Sequence, residues 1–520
     1  MFHCFYFFIF YNVVGDVLNY KICGYYLDNE QLAIVLDESK YLLVVAGAGS
    51  GKTLTILGKI NYLVNKKNVA KDDILCISFT REASLSLKEK IKQEFGFDMD
   101  VYTFHKLALE ILREKGIKCE ISASDTLDNI IHEFLYVMVL SDEKYMKLVM
   151  KYFRIKYKNA EMYIDFLEKN NNKVILFERL LSTFIHLLKC KGYNLSSFNL
   201  FLKKAKKNIF NYRNKKIFLT IALNIYLVYE RYLDENKEMD FDDMIIKATN
   251  EVKSNGITKK YKYIIIDEYQ DTSYVRFLLV KEILNKTNAS LMVVGDDFQS
   301  IYRFTGCELS LFLNFKSYFN DAKVMKIQNT YRNSQELINI AGDFVMKNKK
   351  QIRKNLTSSK HINDPVQVVY YNNIKKAFLD LVLEIYKKTN KSILVLGRNN
   401  KDINLVLDTN YFKLDNDRVI YLKNKIIKIR YLTVHKSKGL EDESVIIINL
   451  ENKLLGFPNK IVDYKVLKLL TTNVDKYPYS EERRLFYVAL TRTKNKVYLL
   501  VPNKNESIFV EEIKYKIKSR

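Results

Sequence analysis

Short, uninterrupted apolar runs punctuate this chain, and longer stretches of helical periodicity separate them. Tyr41–Val45 (YLLVV), Ile74–Thr80 (ILCISFT), Tyr261–Ile266 (YKYIII) and Leu291–Gly295 (LMVVG) form a first set. Ile393–Arg398 (ILVLGR), Ser444–Leu450 (SVIIINL) and Lys496–Val501 (KVYLLV) form a second. Runs that are apolar throughout, rather than at alternate positions, suit strands covered on both faces, so the pattern predicts an α/β chain built on parallel sheet. From about Lys106 to Glu238 the period becomes helical, with no glycine-rich turn, as expected of a helical subdomain inserted into the first half. The opening MFHCFYFFIFYNVV is apolar but is broken by Gly15 and Asp16 and has no Lys or Arg ahead of it. It is too short to cross a bilayer and lacks the basic start of a secretory signal, so a packed strand or helix, or a later start of translation, is expected there. With no other stretch apolar enough to span, a soluble cytoplasmic protein without a membrane partner is predicted.

At 520 residues the chain is too long for one core. Its 84 Lys+Arg against 60 Asp+Glu give a formal charge of +24, which attracts polyanions. The absence of Trp and the abundance of Lys, Asn, Ile and Tyr also fit an AT-rich codon bias, so charge alone does not establish a nucleic-acid partner. One stretch is more pointed: Leu202–Lys216 (LKKAKKNIFNYRNKK) interleaves seven Lys and Arg with Phe210 and Tyr212, which suits phosphate neutralisation with base stacking and equally a solvated helix face. The six cysteines are scattered, with no CxxC, which argues for a reducing compartment and against a structural zinc or disulfide framework.

The candidate chemistry begins where Tyr41–Val45 breaks into Ala46-Gly47-Ala48-Gly49-Ser50-Gly51-Lys52-Thr53. This is the phosphate-loop form GxxxxGK(S/T) with alanine in the first place. Small residues let the backbone close round phosphate oxygens, Lys52 reaches the β- and γ-phosphates, and Thr53 offers its hydroxyl to magnesium. The following helix points its N–H groups and positive dipole end at the anion. ATP and Mg2+ are therefore the expected ligands. Tyr261–Glu268 ends a second strand in adjacent carboxylates, and beside a phosphate loop Asp267 would hold the metal while Glu268 orients and deprotonates the attacking water. Leu291–Gly306 supplies Gln299, placed to sense the γ-phosphate, and then Tyr302, Arg303 and Phe304 on the same loop. Phe79, Phe104 and His105 follow strands ending at the same sheet edge.

Taken together, VGDDFQSIYRFTG, NTYRNS, TVHKSKGLE, the GFP at Gly456 to Pro458, and EERRLFYVALTRTK resemble the signatures of a superfamily 1A helicase of the UvrD/Rep type, with most similarity to its DNA helicase IV branch. The resemblance runs from Gln31 to Arg492. It implies a P-loop NTPase of two RecA-like parallel-sheet lobes, the first over about 25–315 with the helical insertion at about 106–238, the second over 316–520, and a separate apolar extension over 1–24. It also implies an ATP-dependent helicase moving 3′ to 5′ on single-stranded DNA and opening duplex junctions in repair, recombination or replication, working as a monomer or weak oligomer. Gln31 resembles the adenine-reading glutamine, Tyr331 the adenine-stacking tyrosine and Glu441 the ribose carboxylate. Arg332 and Arg492 resemble two arginine fingers. Phe79, Thr103, Phe104, His105, Tyr302, Phe304 and His435 fall where the family meets a single strand. Phe304 stands in place of a tryptophan, Thr305 in place of an arginine, and Leu54 in place of the arginine that often follows Gly-Lys-Thr; none of these removes a catalytic group. Between Arg332 and Thr433 there is no room for the large mobile subdomain of UvrD and Rep. Two other readings are kept: a helicase-like ATPase that remodels a protein complex such as RNA polymerase, which long inserted arms would favour, and a superfamily 1 RNA helicase, against which the YRFTG and ALTRTK segments count.

Overall fold

The computed structural model describes residues 21–118, 120–207, 211–461, 464–470, 475 and 477–518. The apolar stretch 1–20, and Phe210 of the basic stretch, lie outside the described residues. Of the expected extension over 1–24, Lys21–Ile22 pairs with Tyr25–Tyr26 of the first lobe in a small hairpin, and Ile22 is buried in that lobe's core.

Among the described residues the first lobe is a six-stranded sheet of β1 (Tyr41–Ala46), β2 (Ile74–Ser78), β3 (Asp100–Thr103), β4 (Tyr263–Ile266), β5 (Ser290–Gly295) and β6 (Lys323–Ile327). The spatial order is β6-β1-β5-β4-β2-β3, and every neighbouring pair is parallel. Apolar clusters lie on both faces, so both sides of these strands are buried, and the all-apolar runs need no alternation. The strand Lys323–Ile327 falls within the stretch assigned by sequence to the second lobe, yet it adds to the edge of the first sheet beside β1. Only its last residue is fully buried and two of its five are lysines, so its apolar signal is faint. The lobes therefore divide after Ile327.

Among the described residues the second lobe has seven strands: β7 (Val366–Tyr371), β8 (Ile393–Gly397), β9 (Phe412–Asp415), β10 (Arg418–Tyr421), β11 (Ile429–Thr433), β12 (Asp442–Ile447) and β13 (Thr493–Pro502). Their order is β7-β13-β12-β8-β11-β10-β9; the first five are mutually parallel, and β9-β10 closes one edge as an antiparallel hairpin. The lobes share a core. Ala48, Phe298 and Ile301 of the first lobe sit in the same cluster as Leu485, Tyr487 and Leu490 of the second, and the Phe298 and Tyr487 rings meet edge to face at 5.3 Å.

The inserted helices start later than their periodicity suggests. The helix Phe104–Glu114 buries Leu107, Ala108, Ile111 and Leu112 in the first-lobe core. The insertion is pinched off where Glu120–Ile121 pairs with Glu238–Met239, and its helices enclose a separate core of Phe, Leu and Ile. Val466, Leu469 and Leu470 of the second lobe are buried in that same core.

Candidate nucleotide and nucleic-acid site

β1 ends at Ala46, and the chain turns through Gly49 (φ +72°) and Gly51 (φ +78°) into the helix Lys52–Asn65. Both glycines occupy left-handed backbone that side chains disfavour, and both are crowded. A Cβ on Gly49 would lie 2.4 Å from Cβ of Arg332, and one on Gly51 would lie 2.5 Å from Nε2 of Gln31. The loop forms one wall of a cavity of about 400 Å³ lined by Gly49 to Thr53 and by Tyr331, Arg332, Lys360, Glu441 and Lys494. The opposite wall thus comes from the chain beyond β6. That segment is tied to the loop: the Tyr331 N–H donates to the Gly49 carbonyl at 3.0 Å, and the Thr330 hydroxyl donates to the Ala48 carbonyl at 2.6 Å. Gly47 lies under Leu356, and Ala46 and Ala48 are buried.

Tyr331 is 58% exposed at the mouth, its hydroxyl donating to Asp28 at 2.6 Å. Gln31 is wholly buried. Its Oε1 accepts from the Asp28 N–H at 3.1 Å in a capping box, and its Nε2 donates to the Ser50 carbonyl at 3.0 Å. The glutamine therefore braces the phosphate loop, with one amide hydrogen and one lone pair left over.

At the floor, Lys52 is ion-paired with Glu268. Burial alone would lower the lysine's pKa, but Glu268, Asp267 and Asp296 overcome it and raise the value. Burial pushes Asp267 up to about 6, helped by the Glu268 charge. Burial pushes Glu268 the same way, but Lys52 and Lys438 outweigh it and hold this carboxylate well below the usual range. Glu268 is held at φ +52°, a left-handed position for a residue with a side chain, two residues after β4. Its second oxygen accepts from Gln270 at 2.5 Å. Gln299 links the lobes: its Nε2 donates to Asp296 at 2.6 Å, and its Oε1 accepts from Nη2 of Arg492 at 3.0 Å. Arg492 is 1% exposed and also donates to the Val488 and Leu440 carbonyls. Burial, with Arg332 nearby, lowers it to about 9. Arg332 lines the cavity and is paired with Glu441, whereas Arg492 sits behind the wall on Gln299.

The aromatic residues gather on the same seam. Phe79 stacks on Tyr302 at 5.7 Å and 14°, and Tyr302 meets Phe304 at 6.1 Å. Phe304 meets His435 of the second lobe edge to face at 5.4 Å, and the Tyr302 hydroxyl donates to the His435 carbonyl at 3.0 Å. Phe304 is 56% exposed. His105 pairs edge to face with Phe241 at 5.0 Å, away from that stack, and Thr103 is half-exposed as the N-cap of the next helix, its hydroxyl accepting from the Lys106 N–H. Burial holds His105 and His435 each down near 4, so both rings are neutral at neutral pH. Phe104 must be corrected: at 3% exposure it belongs to the first-lobe core, because as the first residue of its helix it turns inward with Leu107 and Ala108 rather than out to a strand of DNA.

Four cationic side chains line the loop cavity against one carboxylate, and Ser50 Oγ is buried there without a partner, a lining that suits an anionic ligand. Residues 27–320 match the model of the UvrD/REP helicase N-terminal domain. The chain belongs to the UvrD/REP helicase family. Residues 244–501 also match the core-domain model of viral superfamily 1 RNA helicases. Among relatives, this UvrD-type chain is similar to DNA helicase IV of Escherichia coli K12 (28% identity over 498 residues, 94% of this chain and 70% of that protein). It is similar to a probable DNA helicase of Mycoplasma pneumoniae (28%, 91% of this chain and 83% of that protein). It is also similar to the ATP-dependent DNA helicase PcrA of Staphylococcus epidermidis (28%, 66% of this chain and 43% of that protein). Among the described residues no helix is long and apolar enough to cross a membrane.

Four residues of this UvrD-type site escaped the sequence reading. Lys438, from the second lobe, is ion-paired with Asp271, lies 3.6 Å from Glu268 and donates to the Gln299 carbonyl at 2.8 Å. Lys360 and Lys494 line the cavity, and Lys494 pairs with Glu441 at 3.1 Å. Arg276 stands over Phe79 at 5.1 Å with a buried Nε that has no partner. Lys438 and Lys494 lie inside the motifs TVHKSKGLE and ALTRTK, which gave a signal of place without one of role. Lys360 and Arg276 sit in polar coil and on an ordinary helix, and nothing in the sequence marks them.

Proposed function

We propose that this protein is an ATP-dependent DNA helicase that moves on single-stranded DNA, 3′ to 5′ as in the family it belongs to, and opens duplex at junctions. The observation that carries the reading is that one cavity has Lys52 and the phosphate loop on one wall and Arg332 on the other, while the aromatic stack crosses the same lobe boundary. Closing that boundary on a nucleotide and shifting the stack along a strand become one movement.

In this reading Lys52 releases Glu268 to take the β- and γ-phosphates, and Thr53 and Asp267 are the residues that would hold a magnesium ion. Bound there, the metal would neutralise charge on the phosphate oxygens. Glu268, freed of Lys52, orients the attacking water and accepts its proton. Arg332 and Arg492 spread the charge that develops on the γ-phosphate; such fingers are worth about a thousandfold or more in related chemistry. Gln299, bonded to Arg492 and three residues before Tyr302, carries the state of the nucleotide to the strand-binding stack. Tyr331 stacks adenine, the remaining amide valences of Gln31 read its edge, and Glu441 takes the ribose. Phe79, Tyr302, Phe304 and His435 hold the bases, and Thr103 and His105 meet the strand beyond them. The cytoplasm is its place of action.

Unwinding of 3′-tailed, 5′-tailed and blunt duplexes, with and without ATP, tests this. Opening of 3′-tailed substrate alone is expected; no strand separation on any of them, or ATPase stimulated by RNA and not by DNA, would refute it.

A further inference from the structure

Where the helical insertion returns to the first lobe, three metal-ligating side chains meet that neither the nucleotide cavity nor the aromatic stack uses. His186 and Cys190 stand one turn apart at the end of the helix Asn171–Cys190, and Asp242 lies in the first turn of the helix Phe241–Asn255. A spacing of four puts imidazole and thiol on one helix face. His186 Nδ1 lies 3.6 Å from Asp242 Oδ2, and one ligand atom from each of the three side chains falls within 4.8 Å of the other two. Cys190 is 2% exposed and Asp242 7%, whereas the His186 side chain is 52% exposed and opens the cluster to solvent.

The His186 to Asp242 separation is too long for a good hydrogen bond and close to what a metal ion imposes. Across a tetrahedral centre with bonds of about 2.0 to 2.3 Å, neighbouring ligand atoms stand about 3.3 to 3.8 Å apart. His186 and Asp242 already have that spacing, and the widest pair has to close by at most about an ångström, within reach of a half-exposed imidazole. The nearby cations are held by other groups: Lys189 by Glu230, Asp240 and Asp243, and Arg276 over the rings of Phe79 and Phe104. The same three residue types also build thiol nucleophiles. Here the chain at Gly306 rests on Cys190, so that a Cβ on that glycine would lie 1.9 Å from the sulfur, and a substrate has no approach to it.

We propose that His186, Cys190 and Asp242 bind one divalent transition-metal ion of the zinc type, with a fourth position open to water. Imidazole, thiolate and carboxylate together select such an ion over magnesium or calcium, which take oxygen ligands. The Cys190 thiol releases its proton to solvent as the bond from sulfur to metal forms. The assignment stands apart from the motor reading above and does not depend on it. The ion fastens the insertion, whose core holds Cys190, to the helix Phe241–Asn255, whose Met244, Ile245 and Ala248 belong to the first-lobe core. Through Gly306 it also stiffens the seat of the loop that carries Tyr302 and Phe304. Cysteine spacing gives no sign of the site, because the third ligand comes from another helix.

Full-length protein without a histidine tag, stripped by a chelator, given zinc alone and passed through gel filtration, tests this. Wild type is expected to retain about one zinc per chain, and His186→Gln, a change at a half-exposed position, to bind at least about tenfold more weakly. Cobalt in place of zinc reads the donor set: an intense thiolate-to-cobalt absorption is expected from wild type and is expected to vanish in Cys190→Ser. At pH 8, Asp242→Asn is expected to raise the melting temperature of the stripped protein, since it removes a buried charge, and to lose that gain at saturating zinc. Zinc that washes from wild type as readily as from His186→Gln overturns the proposal. So does zinc held equally by all three variants, which places it on other residues, and so does a cobalt spectrum without the thiolate band. If Cys190→Ser fails to fold, the comparison with His186→Gln decides.

Discussion

Arg492→Ala separates a transition-state role from a structural one. The side chain is buried and donates to Gln299, Val488 and Leu440, so it stiffens the lobe boundary. If it acts as a finger, its charge matters most when the γ-phosphate is in flight. A loss of about a thousandfold in turnover, about 4 kcal/mol, is then expected. ATP affinity should change only a few-fold, because the loop, Lys52 and Tyr331 lie on the cavity wall while Arg492 stands behind it. If it is structural only, three hydrogen bonds of about 1 kcal/mol each are lost and the melting temperature falls, while turnover in the surviving fold is little altered. Single-turnover hydrolysis, nucleotide binding by a fluorescent analogue, and calorimetric melting are measured together on Arg492→Ala and Arg492→Lys. Parallel loss of binding and turnover, or turnover within about tenfold of wild type, would refute the finger role.

Further expectations concern neighbouring parts of the site. Lys52→Ala should abolish ATP turnover and leave oligonucleotide binding intact, as read by anisotropy; normal turnover would contradict the phosphate role. Phe304→Ala removes an exposed stacking face worth about 1–3 kcal/mol per base, so DNA stimulation of the ATPase should weaken while the DNA-free rate persists. Lys438→Met strands the buried Asp271 carboxylate and should cost about 3–5 kcal/mol in urea unfolding, with most of it recovered in the double variant Lys438→Met/Asp271→Asn; a double variant no better than the single would sink this account. Burial and the Asp240 charge push Asp242 up to about 7, so its ionised form burdens the fold above that pH, and the burden lifts as pH falls from about 7 towards the ordinary carboxylate range. Asp242→Asn should therefore raise the melting temperature at pH 8 and have little effect near pH 4; equal gains at both would exclude that cause.

Much of this molecule was legible along the chain because the relevant physics is local. A strand buried on both faces must be apolar throughout, and a phosphate loop must carry glycine where the backbone is left-handed, so β1, Gly49, Gly51 and Lys52 announced themselves. Two carboxylates at the end of β4 were equally plain. What the sequence could not carry was the company each side chain keeps. Phe104 and Phe79 are both phenylalanines at strand ends, and only packing buries one in the core and stacks the other on Tyr302. Lys323–Ile327 has too little apolar character to name its sheet; its hydrogen bonds to β1 decide it. Lys438 and Asp271 stand 167 positions apart, and Lys204 meets Leu469 across 265. Such pairings depend on how two lobes and an insertion close on one another. Local periodicity does not encode that, because the free energy that selects it comes from surfaces that meet only after the chain has folded.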